Sequence, residues 1–164
     1  MMSTTDNQER LGTREPQERT STKEKQERLV DILKAWQQVE NRSATQSGEI
    51  VERTRNPVIR LVTEIIRRDS AMHYRVQQFI IDSIENQAVT LTVNDLEQVW
   101  AAIEAHIEAE RKTVELVAAA QKALSGTKNV VQQFLLSYLA TDEKKHDQLL
   151  EDLSLIKRGM YRAA

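Results

Sequence analysis

The chain has 164 residues, of which 40% are hydrophobic and 29% charged, and its four glycines and two prolines rarely interrupt regular structure, so one domain of long helices is predicted. A formal net charge of -2 gives no basic surplus for nucleic acid, and no apolar run approaches the length of a membrane span, so neither partner is expected. Cysteine is absent, which excludes disulfides and thiolate chemistry and leaves nitrogen and oxygen as metal ligands. Without the apolar core of a signal peptide, a cytoplasmic location is expected.

The N-terminal part divides into a polar tail and a first helix. Residues 1–23 carry almost no apolar side chain that could be buried, so a flexible tail is expected there. From residue 24 apolar side chains recur at steps of three and four, which predicts a helix over residues 24–54. Its inward stripe would be Leu29, Leu33, Trp36, Glu40, Ser43, Ile50 and Thr54.

A second helix is predicted over residues 57–86. Asn56 suits the N-cap, and Pro57 suits the first helical position, where a missing N–H costs nothing. The inward stripe would be Val62, Ile66, Asp69, His73, Val76 and Ile80. Alternation at Val89, Leu91 and Val93 then predicts an extended connector.

The third and fourth helices are predicted over residues 94–125 and 128–158. Asn94 with Glu97 resembles a capping box for the third, and Thr127 suits the N-cap of the fourth, which Gly159 would end. The third stripe is Leu96, Trp100, Ile103, Ile107, Glu110, Val114 and Val117. The fourth is Val131, Leu135, Tyr138, Asp142, His146, Leu149, Leu153 and Ile156. Together the four helices predict an all-α, antiparallel four-helix bundle over residues 24–158, with Trp36 and Trp100 in its core.

Polar side chains in register with these apolar stripes are the main functional clue, because burying them costs free energy unless they are paired. They are Asp69, His73, Glu110, Asp142 and His146, and His106 lies at the edge of the third stripe. All three histidines are therefore expected to point inward, each with a carboxylate one turn away. Counting residues from the turns places these side chains near one level, as in metal sites built from facing helices.

The run LATDEKKHDQLLEDL, in which Glu143 and His146 form a Glu-x-x-His step, resembles the last helix of ferritin-like, rubrerythrin-type diiron proteins. IEAHIEAERKTVEL is similar to their third helix, and EIIRRDSAMHYRVQQ carries a similar Asp-x-x-x-His frame. The resemblance covers residues 24–158 and implies a ferritin-like bundle with iron oxidase or peroxide-handling activity. The residues that it implies as metal ligands are Glu40, His73, Glu110, Glu143 and His146.

One position departs from the family pattern, because Ser70 lies three residues before His73, where the family carries a bridging carboxylate. The neighbouring Asp69 is displaced by about 100° around the helix and does not replace it. We therefore expect a single-ion site on the side of Glu110, Glu143 and His146, or one that recruits His106, with Asp69 and Asp142 as outer hydrogen-bond partners. Iron is expected first, and zinc or manganese also suits imidazole and carboxylate ligands.

Two alternatives stay open at this point. The histidines can instead satisfy their carboxylate neighbours without any ion, which would make the chain a metal-free structural or protein-interaction bundle, and homo-oligomers are compatible with either reading. The connector between the second and third helices can make a simple turn. Its extended length of about 28 Å favours this, because a helix is about 45 Å long. It can also cross the length of the bundle, as the family resemblance requires.

Overall fold

The computed structural model describes residues 21–162, and the side chains of residues 21–159. These residues form four α-helices and no strand. The helices are α1 (Thr22–Arg53), α2 (Pro57–Glu85), α3 (Val93–Ala123) and α4 (Val130–Arg162). The all-α class with four long helices is confirmed, and the helix ends differ from the predicted ones by four residues at most. The predicted tail lies outside the described residues up to position 20.

Local side-chain caps explain where the helices begin. At α1 the Ser21 hydroxyl accepts a hydrogen bond from the Glu24 N–H at 3.2 Å, and the Glu24 carboxylate accepts one from the Ser21 N–H at 2.7 Å. Asn56 caps α2 as predicted, its side-chain oxygen lying 2.9 Å from the Val58 nitrogen. The capping box of α3 is formed by Thr92 and Asp95. The prediction that Asn94 and Glu97 form it was wrong by two residues.

The end of α4 also differs from the prediction. Gly159 does not break the helix, which continues to Arg162. Gly126 lies in the turn between α3 and α4, and its φ of 75° is one that L side chains rarely adopt.

The described chain divides into two compact units. One contains α1 and residues 63–87, and the other contains residues 54–62 together with the segment from residue 88 onward. Within the first unit α1 and α2 pack as an antiparallel hairpin, in which Lys34 pairs with Glu85, Gln37 with Gln78 and Ser43 with Ser70. Partners further along α1 lie earlier in α2, as antiparallel helices require.

The seam between α1 and α2 is apolar at one end and polar in its middle. Val30, Leu33 and Ile81 form a buried apolar cluster, against which Ile80 and Ile84 pack. The other buried side chains of this seam are Gln37, Glu40, Ser47, Thr63, Ser70 and Gln77.

The predicted inward faces of α1 and α2 were partly wrong. Trp36, expected in the core, is 50% exposed, and Leu29 on the same stripe is 42% exposed. On α2 the buried positions Thr63, Ser70 and Gln77 each follow a predicted stripe position by one residue. This rotation of about 100° brings Ser70 rather than Asp69 onto the face toward α1.

In the second unit α3 and α4 form another antiparallel hairpin. The predicted stripe of α3 is confirmed, since Leu96, Ile107 and Glu110 are buried and Trp100 is half-buried under the Lys157 ammonium, 3.9 Å from the ring centroid. On α4 the described stripe residues are half-buried or exposed. The half-buried ones are Leu135, Tyr138, Asp142, His146 and Leu153, and the exposed ones are Val131, Leu149 and Ile156. Among the described residues no helix is long and apolar enough to span a membrane.

Candidate metal centre

Glu110 is the buried carboxylate at the middle of α3, with only 8% of the residue exposed. Its Oε1 lies 3.2 Å from Nε2 of His106, one helical turn earlier. Its Oε2 is buried without a hydrogen-bond partner and lies 3.7 Å from Nδ1 of His146 on α4. A buried, unpartnered carboxylate oxygen is costly in a folded protein, so this atom needs a compensating positive charge or donor.

Two side chains of α4 face this oxygen from one helical turn. Glu143 and His146 are three residues apart, which places them on one face of the helix. The Glu143 Oε2 lies 3.9 Å from His146 Nδ1, and the Thr113 hydroxyl of α3 lies 2.8 Å from the same Oε2. Thr113 therefore ties Glu143 to α3 at the level of Glu110.

The ligand atoms of Glu110, Glu143 and His146 all lie within 4.8 Å of one another. In a tetrahedral site with bonds of about 2.1 Å, ligand atoms are about 3.4 Å apart. Side-chain movements of roughly 1 Å would therefore bring these three atoms around one ion. This group could hold a metal ion, with carboxylate and imidazole ligands that suit iron, zinc or manganese alike.

Asp142 lies behind His146, as the outer partner of a ligand histidine often does. Its Oδ2 is 3.9 Å from His146 Nε2, whereas Nδ1 of the same ring faces Glu110 and Glu143. A hydrogen bond from Lys145 is the main reason why the pKa of Asp142 is lowered from its ordinary value, and the Lys145 and His146 charges and the Tyr138 hydroxyl lower it further. The carboxylate is thus kept ionised beside the imidazole.

A cavity of about 250 Å³ opens beside these residues. His106, Glu110, His146, Leu149 and Leu150 line it. A small ligand entering this cavity would meet both the histidine and glutamate side chains and the leucine side chains that line it.

The remaining predicted ligands, Glu40 and His73, lie together in the α1–α2 hairpin. Glu40 is 8% exposed, and its Oε1 lies 3.3 Å from His73 Nδ1 and accepts a hydrogen bond from Trp36 Nε1 at 2.9 Å. The sequence predicted that His73 pairs with Asp69 one turn away. In the structure His73 instead contacts Glu40 of the facing helix.

The expectation that all three histidines point into a core was also wrong. Their side chains are 57%, 62% and 41% exposed for His73, His106 and His146, and the buried partner of each is a glutamate. Two hydroxyl residues lie near the glutamates. Ser43 was placed on the inward stripe of the first helix but given no role in the site, and Thr113 was not singled out from the sequence. A signal that the two share is a hydroxyl three residues after Glu40 and Glu110, on nearly the same helix face.

Comparison of the chain with protein-family models, with curated proteins and with solved structures finds no match.

Proposed function

We propose that this chain is a ferritin-like metal-binding protein whose α3–α4 hairpin holds one divalent transition-metal ion through Glu110, Glu143 and His146. The observation that carries the proposal is the Glu110 Oε2, which is buried without a hydrogen-bond partner and faces the imidazole nitrogen of His146. A cation between the two carboxylates and the imidazole would offset the cost of burying that oxygen.

The surroundings of the three side chains support a ligand role. Thr113 holds one oxygen of Glu143, His106 contacts Oε1 of Glu110, and Asp142 lies behind His146. Such outer partners orient ligands and raise their affinity for the ion, and removing one of them typically weakens binding by about 10- to 100-fold.

Iron is the ion that we propose first, with oxidase or peroxide-handling activity as the finer proposal. Three protein ligands leave coordination positions open, and the adjoining cavity of about 250 Å³ has room for dioxygen or hydrogen peroxide. Fe²⁺ bound there would supply one electron per ion to either oxidant. Zinc and manganese suit the same ligands, and zinc, which has no redox chemistry, would occupy the site without that activity.

Metal titration of the full chain tests the binding proposal. Protein freed of metal by chelation is titrated calorimetrically with Zn²⁺, and with Fe²⁺ under anaerobic conditions. We expect one ion per chain, with affinity lowered by about tenfold or more in Glu143→Gln and in His146→Ala. Glu151→Gln, an exposed position two turns further along α4, is the matched control and should bind as the wild type does.

Absence of binding, or equal affinity in the wild type and both site variants, would favour the metal-free structural or interaction module instead. In that case the histidines would act only as hydrogen-bond partners of buried glutamates. The activity is tested separately, by following the oxidation of Fe²⁺ in air in the wild type and in Glu143→Gln. Equal rates in the two proteins would contradict the oxidase proposal without affecting the binding proposal.

A further inference from the structure

The two helical hairpins carry their polar residues at the same distances from their own turns. Glu40 lies thirteen residues before the end of α1, and Glu110 lies thirteen before the end of α3. On the second helix of each hairpin, Ser70 lies thirteen residues after the start of α2 and Glu143 thirteen after the start of α4. The turns themselves differ, since residues 54–56 join the first pair and residues 124–129 the second.

The contacts across each hairpin repeat as well. In the first, the Ser43 hydroxyl lies 3.1 Å from the Ser70 hydroxyl, and in the second the Thr113 hydroxyl lies 2.8 Å from the Glu143 carboxylate. Each hydroxyl follows its glutamate by three residues. A histidine follows position 70 and position 143 by three residues. His73 Nδ1 lies 3.3 Å from Glu40, and His146 Nδ1 lies 3.7 Å from Glu110.

A third contact repeats one turn before each glutamate. The Trp36 Nε1–H donates to Oε1 of Glu40 at 2.9 Å, and His106 Nε2 lies 3.2 Å from Oε1 of Glu110. An indole nitrogen can only donate a hydrogen bond. The shared position is therefore a donor position. In the second hairpin His106 contacts Oε1 of Glu110 and His146 faces Oε2, whereas in the first hairpin Trp36 and His73 both contact Oε1 of Glu40.

We propose that the α1–α2 hairpin is a second copy of the metal-binding unit, with Ser70 at the position where a carboxylate ligand is required. The residue at position 70 then determines that the chain binds one ion and not two. This inference rests on the proposed function of α3–α4. Ser70 is buried on the face toward α1, at the position that corresponds to Glu143. Its short, neutral hydroxyl leaves Glu40 and His73 as two ligands, and these already contact each other.

The neighbours of Ser70 are suited to a carboxylate at that position. Ser43 would donate to it as Thr113 donates to Glu143, and Trp36 already holds one oxygen of Glu40. A glutamate at position 70 would thus join Glu40 and His73 in the arrangement that Glu110, Glu143 and His146 have in the other hairpin.

The test is to count the ions bound by Ser70→Glu in the full chain, with Zn²⁺ as the probe and calorimetry and elemental analysis as the readouts. We expect the number to rise from one to two per chain. Adding His73→Ala to Ser70→Glu should return it to one, which assigns the second ion to α1–α2. Thr63→Glu, at a buried position seven residues earlier on the same face, is the matched control and should stay at one.

A folded Ser70→Glu protein that binds one ion, as judged by wild-type helicity in circular dichroism, would overturn the inference and leave the proposed function intact. If wild type and Ser70→Glu both bind none, the inference and the proposed function fail together. Should Ser70→Glu not fold, the reciprocal variant Glu143→Ser decides. It gives α3–α4 the residue found in α1–α2, so loss of the ion with retained helicity is expected, and a retained ion would overturn the inference.

Discussion

At the level of single residues, the two glutamates Glu40 and Glu110 are alike in burial and differ in what surrounds them. Each is 8% exposed and contacts a histidine of the facing helix. Glu40 has a tryptophan donor and a serine neighbour, whereas Glu110 has a second histidine and a second carboxylate nearby. One substitution at position 70 therefore changes the charge and the number of ligands around an otherwise similar pair.

The sequence alone identified most of these side chains but not their contacts. Helical spacing placed Glu40, His73, Glu110 and His146 on inward stripes, and the family resemblance added Glu143. The roles of the Ser43 and Thr113 hydroxyls could not be predicted, because serine and threonine are common on any helix surface and gain a role only from the residue across the hairpin. Which histidine nitrogen faces which oxygen likewise depends on the register of two helices.

A residue-level prediction concerns the Thr92–Asp95 capping box. Hydrogen bonds from the Thr92 side chain and backbone lower the pKa of Asp95 from its ordinary value. Thr92→Val removes the hydroxyl and keeps the N–H, so the pKa of Asp95 should rise part of the way back. Carboxyl carbon shifts followed by NMR during a pH titration measure it, and Ser21→Ala, which alters the corresponding cap of Glu24, should leave Asp95 unchanged.

The same hydrogen bonds give this cap a defined dependence on pH. Since folding lowers the pKa of Asp95, its contribution to stability is present above the ordinary aspartate pKa and is lost as the pH falls through the lowered value. Thr92→Val should therefore destabilise α3 at neutral pH and have a smaller effect in acid. Equal destabilisation at both pH values would show that the ionised carboxylate is not part of the cap.

At the level of the helices, the existence of all four followed from the sequence, and their ends did so to within four residues. The buried face followed for α3 and only in part for α1 and α2. Periodic apolar residues and few glycines or prolines fix a helix whatever it packs against. On α1 and α2 two adjacent faces carry apolar residues, and the seam buries Gln37, Ser47 and Gln77 while Trp36 stays half-exposed. Because the partner helix selects the face, apolar periodicity alone predicted the buried face of α1 and α2 only in part.

The polar seam leads to a stability prediction at Gln77. This residue is 3% exposed, and neither its Nε2 nor its Oε1 has a hydrogen-bond partner. The corresponding residue of the other hairpin, seven positions after Glu143, is Leu150. Gln77→Leu removes two unpaired polar atoms at similar volume, so it should raise the free energy of unfolding by about 1–3 kcal/mol.

Urea unfolding of metal-free protein measures this change. Gln78→Leu is the comparison variant, because the neighbouring Gln78 is hydrogen-bonded to Gln37 and to Asp82 and should lose stability when replaced. A lower stability in Gln77→Leu would contradict the prediction, because it would mean that the Gln77 amide has hydrogen-bond partners in the folded protein.

At the level of the whole chain, the equivalence of the hairpins was not visible from sequence. Few residue types are shared between the hairpins, and the second turn is three residues longer than the first. The number of residues from each glutamate to its histidine therefore differs between the two hairpins. The repeat is evident only when positions are counted from each turn, which requires the helix ends. Ser70 then changes from a gap in a family motif to the counterpart of Glu143.

The last prediction concerns how an ion changes the stability of the chain. An ion that binds the folded state stabilises it by an amount set by its concentration relative to Kd, about 2.7 kcal/mol at a hundredfold excess over Kd. In wild type the largest slowing of amide hydrogen exchange on adding Zn²⁺ should fall in α3 and α4 around Glu110 and Glu143. In Ser70→Glu a second region of slowed exchange should surround Glu40 and position 70, because the added carboxylate supplies the missing ligand.

The same measurement on Glu143→Gln should show little slowing in either hairpin. Slowing around Glu40 in wild type as strong as that around Glu110 would mean that the first hairpin binds an ion without a third ligand, and position 70 would then not determine the number of ions bound.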